Sequence, residues 1–433
     1  DNGQGLVFKR RLALAANYMF TIEDTVQNNT GSAVTLYPYA VVARAGEPKH
    51  EANWILHEGL IGVLNEVLQD ETYADMRDRD AKELKFESTG GWLGITDKYW
   101  MATIIPPQAE KFSARFSIAK PFGTEIFRTD YLLGARNIKA GASATVAHNL
   151  YTGAKVVSLI EYYQEKLGIH RFDMTIDWGW FAFITYWMFV ALDWFNKVVG
   201  NFGVAIILLT ILIKFLFFPL ANRSYESMTK MKKAQPQMKE IQERYKEDRV
   251  KQQQELMALY KREHINPMMG CLPILIQIPV FFSLYKVLFV TIEMRHAPFF
   301  GWIQDLAAAD PTSLFNLFGL LPYDVPAWLL VGVWPVLMGL TMWIQTKMNP
   351  PATDPVQQQM MTMMPPVFTY MMASFPAGLV IYWTVNNILS MAQQYVIMRR
   401  MNVEIDIGQN FKMPAWASKL LGRQSEKPPA PGE

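Results

Sequence analysis

The sequence predicts a multi-domain membrane protein, in which a β-rich domain at residues 1–155 precedes an α-helical membrane core. Of its 433 residues, 51% are hydrophobic and 18% are charged, whereas about a quarter of the residues in soluble domains are charged. The segment Asn201–Ala221 is almost continuously apolar. At ~1.5 Å per residue, a helix of this length crosses the ~30 Å hydrocarbon core of a bilayer. Much of the chain is therefore expected to lie in lipid.

Residues 1–155 show the pattern of a soluble β domain. Short alternating apolar runs occur at Tyr18–Ile22 and Phe112–Ile118, and turn signals such as Asn28–Gly31 separate them. Many short strands with frequent turns favour a sandwich over alternating strands and helices. Within this domain, the sequence also predicts one helix at residues 53–69.

Residues 156–200 are expected to form a linker helix followed by an aromatic helix. The aromatic residues are concentrated in Trp178–Phe195, and Trp and Tyr prefer the depth of the lipid headgroups. This composition favours an amphipathic helix that lies in the membrane interface. Its length also permits a spanning helix, so the sequence pattern alone leaves five or six spans open.

One cation, Lys214, lies near the middle of the apolar segment 201–221, one turn after Thr210. An ammonium at this depth costs roughly 2.5–3.5 kcal/mol, so it is expected to face protein or trapped water. The alternative is that Lys214 extends to the headgroups. We favour a functional cation in a polar cavity, because the apolar run continues well beyond Lys214.

Residues 222–266 are polar, and their basic residues outnumber the acidic ones. Apolar residues at three- and four-residue steps, among them Met231 and Met238, predict a helix bent at Pro236. A second, antiparallel helix is expected to pack against it through Leu256, Met257 and Tyr260. This helical hairpin is expected in the cytoplasm, where basic loops accumulate.

Four further spans are expected within residues 267–400, and a basic, partly disordered cytoplasmic tail at 401–433. The expected spans are about 269–292, 327–347, 360–375 and 377–398. Lys286, near the outer end of the first of these, is expected to extend to the headgroups. With both basic stretches inside, five spans place residues 1–177 outside the cytoplasm, and six spans place them inside.

Several segments, in the same order, resemble the YidC insertases of the YidC/Oxa/Alb superfamily in their Gram-negative form. These segments are NPMMGCLPILIQIPVFFSLY from Asn266, APFFGWIQDLAAADP from Ala297, TDPVQQQMM from Thr353 and FPAGLVIYWTVNN from Phe375. The resemblance is strong over residues 170–400 and looser over 1–169.

The resemblance implies a β-supersandwich periplasmic domain and an α-helical five-span transmembrane core with a cytoplasmic helical hairpin. It makes residues 178–195 an interfacial helix, and it implies that another spanning helix precedes Asp1. The implied function is insertion and folding of nascent membrane proteins in the bacterial inner membrane, through a hydrated groove open to the cytoplasm and to lipid. The implied C-terminus is cytoplasmic.

The family carries a cation in this groove, usually Arg, and Lys214 stands at the matching place. Arg offers a rigid bidentate fork, whereas Lys is a point charge. The expected groove residues are Lys214, Thr210 and Gln277. The expected client-contact path consists of Ile278, Pro279, Phe368, Met371, Tyr382 and Trp383. Alternatives are that Gln277 only links helices and that the methionines at 360–372 only pack against lipid.

The resemblance also implies several partners: nascent membrane proteins, the lipid bilayer, the ribosome through the hairpin and the basic tail, and the Sec translocon with its accessory subunits. We expect no specific reading of nucleic acid. The six His lack metal-ligand spacing and no phosphate-binding loop occurs, so we expect no cofactor, no metal and no enzyme activity. Two other classes stay open: a transporter or channel for an anionic solute, and a membrane-tethered carbohydrate enzyme.

Overall fold

The computed structural model describes residues 2–48, 56–270, 272–323, 325–349 and 355–403. The chain divides into two compact units. The first, called the β unit, comprises Asp1–Ala191 together with Phe281–Ala297. The second, called the helical unit, comprises Leu192–Val280 together with Pro298–Glu433. The basic tail predicted from residue 401 lies, from residue 404 onward, outside the described residues.

The described part of the β unit contains thirteen strands, β1 to β13. They are Leu6–Leu14, Met19–Asn28, Val34–Leu36, Tyr39–Ala45, Gly59–Leu64, Val67–Thr72, Glu83–Thr89, Gly91–Thr96, Trp100–Ile105, Lys111–Ala119, Ile126–Leu133, Arg136–Ile138 and Ser143–Ala154. Seven form a sheet in the order β1-β2-β13-β9-β8-β5-β6, four form a sheet in the order β4-β11-β10-β7, and β12 pairs with β3. The neighbouring strands pair in antiparallel fashion.

The two larger sheets share one hydrophobic core. Leu60, Leu93 and Ile104 of the seven-stranded sheet pack in the same buried cluster as Phe116 and Tyr131 of the four-stranded sheet. Side chains alternate between the faces of a strand, so each sheet contributes one apolar face to this core. The prediction of a β sandwich in the N-terminal part is confirmed.

The helix predicted at residues 53–69 is wrong over its described part. Gly59–Leu64 and Val67–Thr72 instead form a hairpin, and Asn65 and Glu66 turn the chain with positive φ angles of 51° and 64°. Strand β5, Gly59–Leu64, lies between β8 and β6 and is buried on both faces. Its apolar residues therefore do not alternate with polar ones. At Gly62 a Cβ would lie 2.8 Å from the backbone oxygen of Trp92, which only glycine accommodates.

Ten α-helices, α1 to α10, are present in the described residues. They are Tyr73–Asp78, Val157–Leu167, Ala182–Val199, Phe202–Leu216, Phe218–Arg244, Arg249–Arg262, Leu272–Val290, Val333–Met348, Pro355–Met372 and Ala377–Arg400. Short 3-10 turns lie at Pro121–Gly123, Phe172–Thr175, Pro267–Gly270, Ile292–Met294, Leu314–Gly319 and Ala327–Leu329.

The apolar segment predicted as one spanning helix at 201–221 is broken. Helix α4 ends at Leu216, α5 begins at Phe218, and the two axes differ by 69°. Pro219 lies in the first turn of α5. Proline lacks an N–H, and its ring clashes with the carbonyl four residues earlier, so one straight helix does not pass through it. By length and apolarity, this bent pair is long enough to cross a bilayer, whereas no single described helix is.

The remaining predicted spans coincide with helices α7 to α10, with shifted ends. Helix α8 begins at Val333 rather than 327, because Gly332 is its extended N-cap residue. Helix α9 ends at Met372 and α10 begins at Ala377. The tract is therefore interrupted where the sequence Phe375–Gly378 predicted a break.

Helices α5 and α6 form the predicted helical hairpin. Ala234 and Met238 of α5 pack with Leu259 of α6 in one buried cluster. Gln252 donates to the Gln242 carbonyl at 3.0 Å, and Arg262 donates to Gln237 at 2.8 Å, so the helices run antiparallel. Helix α5 continues through Pro236. Met257, predicted at the interface, is 49% exposed.

Lys286 does not extend to a headgroup, contrary to the sequence-based expectation. Its residue surface is 4% exposed, and its Nζ lies 2.7 Å from Asp177 Oδ2 within the β unit. A buried ammonium is costly unless a counter-charge and hydrogen bonds compensate it. Asp177 supplies that compensation.

Candidate functional site

A cavity beside Lys214 lies within the helical unit. Its volume is about 50 Å³, enough for several waters, because about 10–15 Å³ of such space holds one. Residues of α4, α5, α7 and α10 line it. The polar lining residues are Lys214, Tyr225, Gln277 and Asn386. The sequence-based expectation that Lys214 and Gln277 share one polar site agrees with this arrangement.

Lys214 points its ammonium at the last helix. Its Nζ donates to Ser390 Oγ at 2.6 Å, and Ser390 Oγ in turn donates to the Asn386 carbonyl at 2.7 Å. Within the described part of the chain, Lys214 forms no ion pair. A hydroxyl compensates part of the hydration that the ammonium loses, but it does not neutralise the charge. The cavity therefore contains a cation that can accept an anionic partner.

Gln277 on α7 faces α10. Its Nε2 donates to the hydroxyl of Tyr382, a residue that is 1% exposed. This bond links two helices, as one of the sequence-based alternatives for Gln277 proposed. Gln277 also lines the Lys214 cavity, so linking the helices and lining the cavity are compatible.

Thr210 lies on the same helix as Lys214 but not at the cavity. Its side chain is buried, and its Oγ1 donates to the Ile206 carbonyl at 2.7 Å. A threonine hydroxyl inside a helix commonly binds the carbonyl four residues earlier. The structure therefore brings together two of the three predicted groove residues.

Helix α10 carries polar residues that the sequence analysis missed. Asn386, Ser390 and Gln393 recur at three- and four-residue steps in an apolar helix, and these steps place them on one face. Gln393 Nε2 donates to Asn222 Oδ1 at 2.7 Å. The same periodicity test that predicted the hairpin would have identified this polar face.

A second polar face of α10 contacts α8. Asn387 donates to Thr341 Oγ1 at 3.2 Å, and Gln394 donates to Asn349 Oδ1 at 3.2 Å. Hydrogen bonds between apolar helices stabilise their association. Helix α10 is thereby held on one side by α8 and presents its other polar face to Lys214.

The predicted client-contact residues divide into two groups. Ile278 and Met371 are exposed, and the rings of Phe368 and Trp383 contact each other at 5.0 Å between centroids. Pro279 is half-buried. The structure does not support the expected place of Tyr382 on the client-contact path. Its side chain is buried and bonded to Gln277, so it does not belong to an accessible surface.

Helix α9 presents a methionine-rich apolar face. Met360, Met363, Met364, Val367 and Met371 are all 44–65% exposed and follow helical spacing. Met372, by contrast, is fully buried. Flexible thioethers adapt to apolar surfaces of varied shape.

Two family models match the chain, one after the other. Residues 1–191 match the family described as the YidC periplasmic domain, and residues 194–404 match the 60Kd inner membrane protein family. A sandwich domain followed by helices that line a cavity with a cation fits the class that these descriptions define. That class is an inner-membrane protein with a periplasmic domain.

Two named relatives specify the family. The chain is 55% identical over 414 residues to the membrane protein insertase YidC of Brucella suis biovar 1, covering 95% of this chain and 67% of the relative. It is 55% identical over 424 residues to the membrane protein insertase YidC of Methylobacterium nodulans, covering 95% and 69%. The chain belongs to the YidC family. This membership confirms the expectation that it is not an enzyme.

One solved structure is also similar. It is described as an active YidC insertase with the first transmembrane domain resolved, and it matches with a TM-score of 0.43 and 16% identity. The match covers 90% of this chain and 95% of that one.

Proposed function

We propose that the protein is a membrane protein insertase and chaperone, which inserts and folds nascent membrane proteins through a hydrated groove around Lys214. The named relatives are insertases. The observation that carries the groove proposal is the ammonium of Lys214, which lines a cavity with room for water and forms no ion pair in the described residues.

The physical task is to move a polar or acidic flank of a client across an apolar layer. An unpaired carboxylate in hydrocarbon is costly, and both water and an opposite charge reduce that cost. Lys214 supplies the charge, and Ser390 and Asn386 fix its position through their hydrogen bonds. Gln277 supplies a further polar group in the cavity lining.

The apolar segment of the client needs a different surface. Ile278, Met371 and the Phe368–Trp383 ring pair provide apolar contacts, and the exposed methionines of α9 extend them. In this proposal the client's polar flank enters the cavity while its hydrophobic segment moves along these side chains into lipid. Thr210 and Tyr382 support the helices through hydrogen bonds with the Ile206 carbonyl and the Gln277 side chain, respectively.

The proposed topology has five spans. The first is the bent pair formed by α4 and the start of α5, and the other four are α7, α8, α9 and α10. The β domain, residues 1–155, lies in the periplasm, and the aromatic helix α3, Ala182–Val199, lies in the interface. The hairpin and the basic tail lie in the cytoplasm, where their cations attract the ribosome, an anionic particle. Clients arrive directly from the ribosome or through the Sec translocon.

The test is insertion of a single-span client with an acidic translocated flank into liposomes that contain the protein, scored by protease protection. Lys214→Ala is expected to reduce insertion about tenfold, equivalent to ~1.4 kcal/mol. Lys214→Arg is expected to retain insertion, because it keeps the charge. Ser390→Ala is expected to give an intermediate loss. Lys85→Ala, on an exposed strand position, is the control.

A second client, identical except for a neutral flank, makes the test specific. The Lys214→Ala variant is expected to insert it as well as the wild type does. Equal losses of insertion for both clients would show that Lys214→Ala disturbs the fold rather than removing an attraction for the client's charge. Absence of insertion by the wild type, with measurable flux of small anions, would favour the transporter.

A further inference from the structure

A partly buried charged contact in the β unit joins three separate stretches of the chain. Asp177 Oδ2 accepts hydrogen bonds from Lys286 Nζ at 2.7 Å and from the backbone N–H of His57 at 3.3 Å. Asp177 Oδ1 accepts from the N–H of Gly179 at 2.9 Å. One carboxylate therefore contacts the segment before β5, the turn before α3 and the second half of α7.

The geometry around this carboxylate is close-fitting. The stem of Lys286 passes over Gly179, where an added Cβ would lie 3.3 Å from Lys286 Cε. Gly179 also has a φ of 74°, which side chains other than glycine rarely adopt. The turn is thus shaped to let Lys286 reach Asp177.

Further contacts attach the same part of the chain, residues 281–297, to the sandwich domain. Glu293 Oε1 accepts from the N–H of Val157 at the start of α2, at 2.9 Å. Lys98 Nζ lies 3.6 Å from the ring centroid of Phe289, and the Arg295 guanidinium lies 5.4 Å from that of Tyr99. Charged side chains of residues 281–297 and of the sandwich domain both take part, so the attachment is polar and directional.

Stability alone does not account for an ion pair with one buried partner. The Lys286 side chain is 5% exposed and that of Asp177 is 35% exposed, so the loss of hydration at Lys286 offsets part of the attraction between the charges. What a charged, multiply hydrogen-bonded contact does supply is a defined geometry. Lys286 Nζ contacts Asp177 Oδ2 at 2.7 Å, and the backbone N–H groups of His57 and Gly179 hold that carboxylate in place.

We propose that Asp177 is a positioning residue, which fixes the second half of α7 to the sandwich domain through Lys286. This inference rests on the proposed insertase function, because its consequence is that insertion depends on how firmly α7 is held. The sandwich domain then holds the second half of α7 in place, in addition to any contact that it makes with clients.

The experiment compares Asp177→Asn, Lys286→Met, the double variant and Lys286→Arg in the full chain. Spin labels at Lys85→Cys on β7 and Phe282→Cys on α7, in a Cys271→Ser background, report the distance distribution within the β unit. Thermal unfolding and insertion per folded molecule are measured in parallel. The matched control is the exposed pair Arg11–Glu23, at 3.5 Å, changed to Met and Gln.

Each single neutralising variant is expected to broaden the distance distribution and to lower insertion several-fold. The double variant is expected to regain thermal stability, because it leaves no unpaired buried charge, while its distances stay broad and its insertion stays low. Lys286→Arg is expected to retain all three properties, and the Arg11–Glu23 control is expected to change none.

The proposal would be overturned if the double variant regained both a narrow distance distribution and insertion. Asp177 and Lys286 would then only neutralise each other's charge. Narrow distances in both single variants would also overturn it. If the wild type inserts no client, the proposed function fails, while the distance distributions still decide whether Asp177 positions α7.

Discussion

Lys155, in the β unit, is a buried cation with strong polar contacts. Its Nζ donates to Thr96 Oγ1 at 2.9 Å and to the Asp97 carbonyl at 2.6 Å. Burial lowers the pKa of Lys155 from its ordinary value of 10.5 to about 8, and nearby carboxylates, Asp177 foremost, offset part of that effect. The charged form of Lys155 is therefore disfavoured in the folded state.

This pKa predicts a pH-dependent stability. Between about pH 8 and 10.5 the unfolded chain holds the Lys155 proton while the folded one has released it. Stability rises with pH wherever the unfolded state binds more protons. The free energy of unfolding of the wild type, minus that of Lys155→Met, is expected to increase over this window by up to about 1.4 kcal/mol per pH unit.

Urea titrations of both proteins from pH 7 to 10 provide the measurement. Below pH 8 the difference is expected to be flat, because both states then hold the proton. A difference that stays flat up to pH 10 would contradict the lowered pKa. Lys85→Met, at an exposed position, controls for loss of a surface charge.

At the scale of single residues, the sequence indicates which groups are exceptional but not what they contact. Lys214 stands out because a charge in an apolar run is costly. Its partner Ser390 does not, because serine is common in helices of membrane proteins. The two are 176 residues apart in sequence, so only the packing of α4 against α10 brings them together.

Among the elements, the α5–α6 hairpin has a small core of its own. Leu259 is 3% exposed and packs with Ala234 and Met238, whereas its neighbour Met257 is 49% exposed. Leu259→Ala is expected to destabilise the hairpin by about 2 kcal/mol, because it leaves a cavity. Hydrogen exchange of the α5 and α6 amides measures the change.

Met257→Ala is the matched control and is expected to leave exchange nearly unchanged, since its side chain contacts little protein. Equal acceleration in the two variants would contradict the assignment of Leu259 to the interface. Insertion assays on both variants then show whether the proposed function requires a stable hairpin.

Two elements show where local sequence patterns mislead. The run from Gly59 to Leu64 contains apolar residues in succession, which suits a buried helix or a central strand equally. Its position between β8 and β6 decides for the strand. In the same way, the apolar run 201–221 hides the break at Phe217, which the proline at 219 causes and which the composition of the run does not reveal.

At the scale of the whole molecule, the sandwich core depends on side chains from both sheets. Phe116 is fully buried in the shared cluster, while Phe122 lies in an exposed 3-10 turn. Phe116→Ala is expected to cost about 3–5 kcal/mol. Phe122→Ala is expected to change stability by less than about 0.5 kcal/mol.

Chemical unfolding followed by near-UV circular dichroism measures both variants in the full chain. A loss at Phe122 comparable with that at Phe116 would mean that the sheets do not share the core described above. Because the chain forms two compact units, the Phe116 variant is also expected to unfold in two resolved steps, the first belonging to the β unit.

Sequence patterns predicted a β-rich first part followed by helices, the helical hairpin and the prominence of Lys214. These follow from composition, periodicity and the cost of burying charge, all of which are local properties of the chain. The tertiary structure decided that Lys214 meets Ser390, that Lys286 pairs with Asp177 and that Phe281–Ala297 belongs to the β unit. These contacts join residues far apart in sequence, and the choice among possible partners is made by packing.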